Sequence, residues 1–192
     1  MRHLLALTLV LSIASSRSSA QQLPIPNGTV REGTLSFDGK ATLGDFTGTT
    51  TTVTGKFTGG ATLADIRGNV EVPVQTLVTG NGKRDRDLNK SMESEQYPML
   101  RFNLLGVDAA GTGTSDSIPA TLRGMMTIHG VTREVSIPAI LRFRADGVRA
   151  QGSLPLNLKD YKIGGLTKMF GMLKMHEDIV VRLDVDFDFS AY

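Results

Sequence analysis

From Ile179 to Phe189 the chain alternates: Ile179, Val181, Leu183, Val185, Phe187 and Phe189 are apolar, and Val180, Arg182, Asp184, Asp186 and Asp188 stand between them. Successive side chains of a strand point to opposite faces, so this spacing predicts a long strand with one greasy face and one charged face. Such a strand is not stable alone. Its apolar face needs a facing sheet or the inside of a closed one.

The same period recurs through the chain. Ile118, Ala120, Leu122, Gly124, Met126 and Ile128 alternate with Thr121, Arg123, Thr127 and His129, among others. After a turn at His129-Gly130-Val131-Thr132, the residues Val135, Ile137, Ala139, Leu141 and Phe143 continue the apolar face, which predicts a long hairpin. Val148 to Leu156 and Leu100 to Leu104 supply further strands, and Leu35, Phe37, Val70, Val72 and Val74 mark shorter ones. The threonine-rich stretch from Thr47 to Thr58 suits strands, because threonine is β-branched.

Two segments depart from this period. Lys83 to Glu95 lacks Gly and Pro and carries Leu88 and Met92 four residues apart, as a short helix with a narrow apolar stripe does. Leu166, Met169, Phe170 and Leu173 fall at i, i+3, i+4 and i+7, which predicts a helical turn there too. The resulting class is all-β with one or two short helices, either a sandwich or a closed barrel.

The first twenty residues read as a secretory signal: Arg2 and His3, an apolar run from Leu4 to Ile13, and a small-residue cleavage site at Ser18-Ser19-Ala20. Cleavage after Ala20 removes Arg2 and Arg17 and leaves equal numbers of basic and acidic side chains. The protein is then expected in the periplasm or outside the cell, with residues 21–32 as a flexible mature N-terminus and 33–192 as one domain. A neutral chain without Trp argues against a nucleic-acid partner, which needs clustered cations and aromatic platforms. The absence of cysteine excludes disulfides, thiolate catalysis and Cys-ligated metal.

Thr79-Gly80-Asn81-Gly82-Lys83-Arg84-Asp85-Arg86-Asp87-Leu88, followed by Tyr97-Pro98 and Phe102, resembles the "TGN, then RD, then L" segment of the YceI family of exported bacterial proteins. Gly124-Met125-Met126-Thr127-Ile128-His129-Gly130-Val131-Thr132-Arg133-Glu134-Val135 is similar to that family's "G-x-L-T-I-H-G-V-T-K-x-V" hairpin. The likeness spans roughly residues 33 to 190. Gly33-Thr34-Leu35-Ser36-Phe37 lacks the usual preceding Trp and His, and Met92-Glu93-Ser94-Glu95 replaces the common "FFD". The resemblance implies an extended eight-stranded antiparallel lipocalin-like β-barrel. Its long apolar tunnel would hold a polyisoprenoid lipid, an isoprenoid quinone or polyprenyl phosphate, with no other cofactor and no catalysis.

The inward side chains expected to line that tunnel are Phe37, Phe102, Leu122, Met126, Ile128, Leu141, Phe143, Leu154, Val181 and Leu183, with Met169, Phe170 and Leu173 as a lid or a core plug. Lys83 and Arg84 are candidates for a head group, aided by backbone N–H groups at the helix start, although Arg84 and Asp85 also suit structural ion pairs. His129 is expected to hydrogen-bond its turn. Asp184, Asp186 and Asp188 lack the glycine and distal glutamate of a calcium loop and fit an outer strand face opposite Arg142 and Arg144. With only His129 and His176 in the mature chain, no multi-histidine metal site is expected. The expected partners are the lipid and, transiently, a membrane, for a monomer or homodimer. A periplasmic enzyme acting on a small hydrophobic substrate and a stress protein with a filled barrel remain open.

Overall fold

In the computed structural model the described residues are 24–42, 44–110, 117–164, 167–168 and 173–190. The strands are β1 (Gly28–Gly39), β2 (Phe46–Thr50), β3 (Thr54–Thr58), β4 (Arg67–Pro73), β5 (Met99–Ala109), β6 (Ser117–Ile128), β7 (Val131–Arg144), β8 (Gly147–Asn157), β9 (Thr167–Lys168), β10 (Leu173–Lys174) and β11 (Asp178–Phe189). One helix, α1 (Gly82–Ser91), lies between β4 and β5, and 3-10 turns cover Leu63–Asp65, Val74–Thr76 and Leu158–Tyr161.

The large sheet runs β11-β8-β7-β6-β5-β4-β3-β1-β2, and β11 also pairs with β1, so it closes on itself. β2 and β3 share one edge of β1, with Leu35 opposite Thr50 and Gly28 opposite Phe57. They act as one strand broken at Thr51–Val53, where Val53 turns into the core over Gly33. Eight positions thus surround the axis, and the architecture is the eight-stranded antiparallel barrel expected. Each strand alternates for the reason legible in the sequence: apolar residues fill the inside and charged ones face water.

The seam between β1 and β11 runs from Gly28–Phe189 to Asp38–Val180, broken by one bulge at Arg31. β1 therefore begins at Gly28, and residues 28–32 are paired rather than flexible; the seam supplies backbone partners that a polar, Pro- and Gly-bearing stretch does not advertise. Only part of 166–173 is described. Lys168 pairs with Leu173 in the two-stranded ladder β9–β10, and Leu166, Met169 and Phe170 of the expected helical turn lie outside the described residues.

The β6–β7 turn contains His129 and Gly130 alone, with φ of 52° and 72°. Positive φ at both central positions is the type I′ hairpin, whose twist matches the strands. Gly130 is required there for φ and because the Tyr97 ring occupies the place of a Cβ.

The acidic row of β11 lies on the outer face and is neutralised there. Asp184 accepts from Arg149 at 2.7 and 2.6 Å and from Gln151 at 2.8 Å. Asp186, buried at 8 % exposure, lies between Arg31 at 2.8 Å and Arg144, and Arg144 also reaches Asp188 at 2.7 Å and Asp146 at 2.7 Å. The bulge aims Arg31 at this row. Arg142, the other expected partner, instead donates to Gln151.

Arg144→Ala leaves buried Asp186 with a single cation. The expected result is a larger fall in the urea midpoint than Arg123→Ala causes at the exposed Arg123–Asp108 pair, and an equal or smaller fall would contradict the assignment. The Arg149 hydrogen bonds hold the Asp184 carboxyl below the usual carboxylate range, against the desolvation that pushes it up. A carboxyl lowered by folding contributes stability above its unfolded pKa, near 3.9, and loses it as pH falls toward the folded value. Asp184→Asn is therefore expected to lessen the drop in urea midpoint between about pH 6 and about pH 3.

Candidate functional site

The start of α1 is tied down by the motif that precedes it. Asn81 is the N-cap, its side-chain oxygen accepting from the backbone N–H of Lys83 at 3.0 Å and of Arg84 at 3.2 Å. Asp85 accepts from the Thr79 N–H at 2.8 Å and the Thr79 hydroxyl at 2.6 Å. Gly80, at φ 74°, turns the chain between them. One residue earlier, Val78 pairs with Thr49 of β2 through two backbone bonds of 2.9 and 3.0 Å. The "TGN…RD" segment is thus a fastening that sets α1 across one end of the barrel.

That geometry alters the expected roles. Asp85 serves the loop rather than an ion pair, and the N–H groups of Lys83 and Arg84 are spent on the Asn81 cap instead of being available to a head group. The Arg84 guanidinium lies over the Phe46 ring, 4.2 Å from its centroid. Among the described residues neither Lys83 nor Arg84 forms an ion pair.

Beneath α1 lies a cavity of about 390 Å³. Leu88 and Met92 face it from above, and Leu77, Leu158, Ile163 and Met175 close its sides. The strands contribute Leu35 and Phe37 (β1), Phe46 (β2), Leu100 (β5), Met126 and Ile128 (β6), Leu156 (β8), and Ile179 and Val181 (β11). Its polar members are Thr42, Asn81, Lys83, Arg84, Asp87 and Ser91, from α1 and the loops beside it. Leu35, Leu100, Met126 and Val181 point inward yet are only half-buried, because they border this space.

The cavity does not run the length of the barrel. Leu35, Leu100, Met126 and Leu154 pack against both the cluster around the cavity and a second, larger cluster at the other end. There Phe57 meets Phe187 edge-on at 5.3 Å and Phe189 at 6.5 Å, and the void left is about 70 Å³.

The expected lining residues divide accordingly. Phe37, Met126, Ile128 and Val181 border the cavity, with Lys83 and Arg84 at its mouth. Phe102, Leu122, Leu141, Phe143 and Leu183 surround the small void, and Leu154 stands between the two clusters. Met169 and Phe170 lie outside the described residues, and of Leu173 only the backbone, in β10, is described. Sequence reasoning overlooked Phe46, Leu77 and Ile163, which sit beyond regular strand alternation, and Ile179 and Leu156, whose parity matched that of the residues selected. Leu88 and Met92 carried a signal, the apolar stripe on α1.

His129 stands next to Ile128 but outside the cavity. Its ring Nδ1 lies 3.1 Å from the Tyr161 carbonyl, Nε2 lies 3.5 Å from Glu93, and the ring meets Tyr97 at 4.7 Å. It ties the hairpin turn to the Leu158–Tyr161 turn and to the segment after α1. Among the described residues no three His, Cys, Asp or Glu side chains converge as metal ligands, and no helix is long and apolar enough to cross a membrane.

Barrels of this shape occur in solved structures. A polyisoprenoid-binding domain from Saccharophagus degradans, implicated in plant cell wall breakdown, is 13 % identical, with a TM-score of 0.68 over 86 % of this chain and 100 % of that one. BcnA of Burkholderia cenocepacia is 14 % identical, with a TM-score of 0.68 over 80 % and 95 % of the two chains. A Campylobacter jejuni YceI protein is 16 % identical, with a TM-score of 0.53 over 65 % and 73 %. No curated protein matches the sequence. The family model for the YceI-like domain matches residues 26–189, strand β1 to the end of β11, and the chain belongs to that family.

Proposed function

We propose that this protein is an exported binder of isoprenoid lipid, which takes the apolar tail into the cavity beneath α1 and presents the head group to Lys83 and Arg84. One observation carries the reading: a largely apolar cavity of about 390 Å³ opens beside two cations that have no ion-pair partner among the described residues. That volume lies within the range of roughly 300–1,000 Å³ common for small-molecule sites. Among the described lining residues the cations Lys83 and Arg84 outnumber the one carboxylate, Asp87, which suits a phosphate or the carbonyl oxygens of a quinone. The neighbour from Saccharophagus degradans, described as a polyisoprenoid-binding domain, supports the same ligand class.

The energetics favour carriage over storage. Burying a five-carbon isoprene unit is worth about 3 to 4 kcal/mol relative to water. Relative to a bilayer the gain is near zero, since lipid tails are equally apolar. A protein of this kind shields the tail in transit and returns it at a membrane. Binding, and not chemistry on the ligand, is the role assigned to the cavity.

Mass spectrometry of an organic extract from natively purified protein is expected to reveal an isoprenoid lipid; recovering none, where a known carrier retains its own, counts against the reading. Met126→Trp, placing an indole in the cavity, should lower lipid loading at least tenfold with circular dichroism unchanged, at a stability cost of about 1 to 3 kcal/mol. Transfer of a labelled prenyl lipid between two vesicle populations should accelerate when the protein is added, and an unchanged rate would remove the carrier role.

A further inference from the structure

We infer that the cavity sets the length of the tail, admitting about three isoprene units, with Met126 and Leu154 forming part of the stop. The inference rests on the lipid-binding reading above and concerns which lipids that site selects.

The inward row of β11 runs from Ile179 to Phe189, but only Ile179 and Val181 border the cavity. On β8, Leu156 borders it while Leu154, two residues inward, does not. On β6 the cavity stops at Met126. Beyond this level the larger core cluster takes up the space: Val185 is wholly buried in it, and Phe57 packs edge-on against Phe187 over Gly28 of β1. An apolar cavity of about 150 Å³ takes up one benzene, six carbons, so about 390 Å³ scales to about fifteen carbons. Fifteen carbons are three isoprene units. The void of about 70 Å³ past the floor is separate, and thinning the floor would join it to the cavity.

A tail longer than the cavity must leave its surplus outside, in water. Each surplus unit gives up its burial in the bilayer with nothing in return, so extraction from a membrane should fall on the order of a hundredfold or more per unit.

The test uses the signal-cleaved protein, stripped of lipid, with phosphatidylcholine vesicles carrying farnesyl, geranylgeranyl or decaprenyl phosphate, of three, four and ten units. Lipid bound to protein after vesicle removal is quantified by mass spectrometry. Farnesyl phosphate is expected to load at least a hundredfold better than decaprenyl phosphate. Met126→Ala with Leu154→Ala should raise the geranylgeranyl to farnesyl ratio at least tenfold, and the wild-type length series keeps the test decisive if that double variant fails to fold. Equal loading of all three, or better loading of decaprenyl phosphate, overturns the length limit and leaves the lipid-binding reading standing. No loading of any of them, together with no lipid in the native extract, overturns the reading beneath it.

Discussion

Everything in this molecule depends on the pairing of its first strand with its last. β1 and β11 lie more than 130 residues apart in the chain, yet they hydrogen-bond along nearly their whole length, and this seam turns an open sheet into a closed one. An open sheet of these strands would expose two rows of unpaired N–H and C=O groups and leave its apolar face wet. Closure removes both problems together. It also fixes a finite interior, so whether that interior holds side chains or a ligand becomes a matter of side-chain size at each level of the barrel.

The two ends answer that question differently. At one end phenylalanines from β3 and β11 meet edge-on over Gly28 of the strand between them. At the other, Leu35, Val181 and Leu100 border a cavity that is roofed by Leu88 of α1 and by Met92 just after it. The helix holds its place because Asn81 and Asp85 satisfy the polar groups of the loop and of the first turn, so that among the described residues Lys83 and Arg84 have no ion-pair partner and Arg84 lies over the Phe46 ring. A single short motif thus roofs the cavity and supplies its charge.

Much of this was legible in the sequence, and the reasons are specific. Alternation revealed the inward faces of β6, β7, β8 and β11, since a strand with one wet face must repeat every two residues. The stripe of Leu88 and Met92 revealed α1. Parity, however, says which face a side chain joins and not how far along the axis it sits. Phe102, Leu122, Leu141, Phe143 and Leu183 therefore looked equivalent to Phe37 and Val181, although they surround the small void at the packed end. Depth follows from strand register and tilt, which are properties of pairs of strands. Phe46, Leu77 and Ile163 were hidden for a related reason: each flanks an irregular stretch whose position is fixed only by what it packs against. The early start of β1 was equally invisible, because its partner lies at the opposite end of the chain.

The division of the interior separates two demands that usually compete. The larger core cluster and the ionic belt around Asp186 lie toward the aromatic end, whereas the open space lies at the hollow end. Enlarging or narrowing the hollow end changes few of the contacts that keep the barrel shut. A change of side-chain size at the hollow end therefore reshapes an open space, whereas the same change at the packed end must be absorbed by neighbours already in contact.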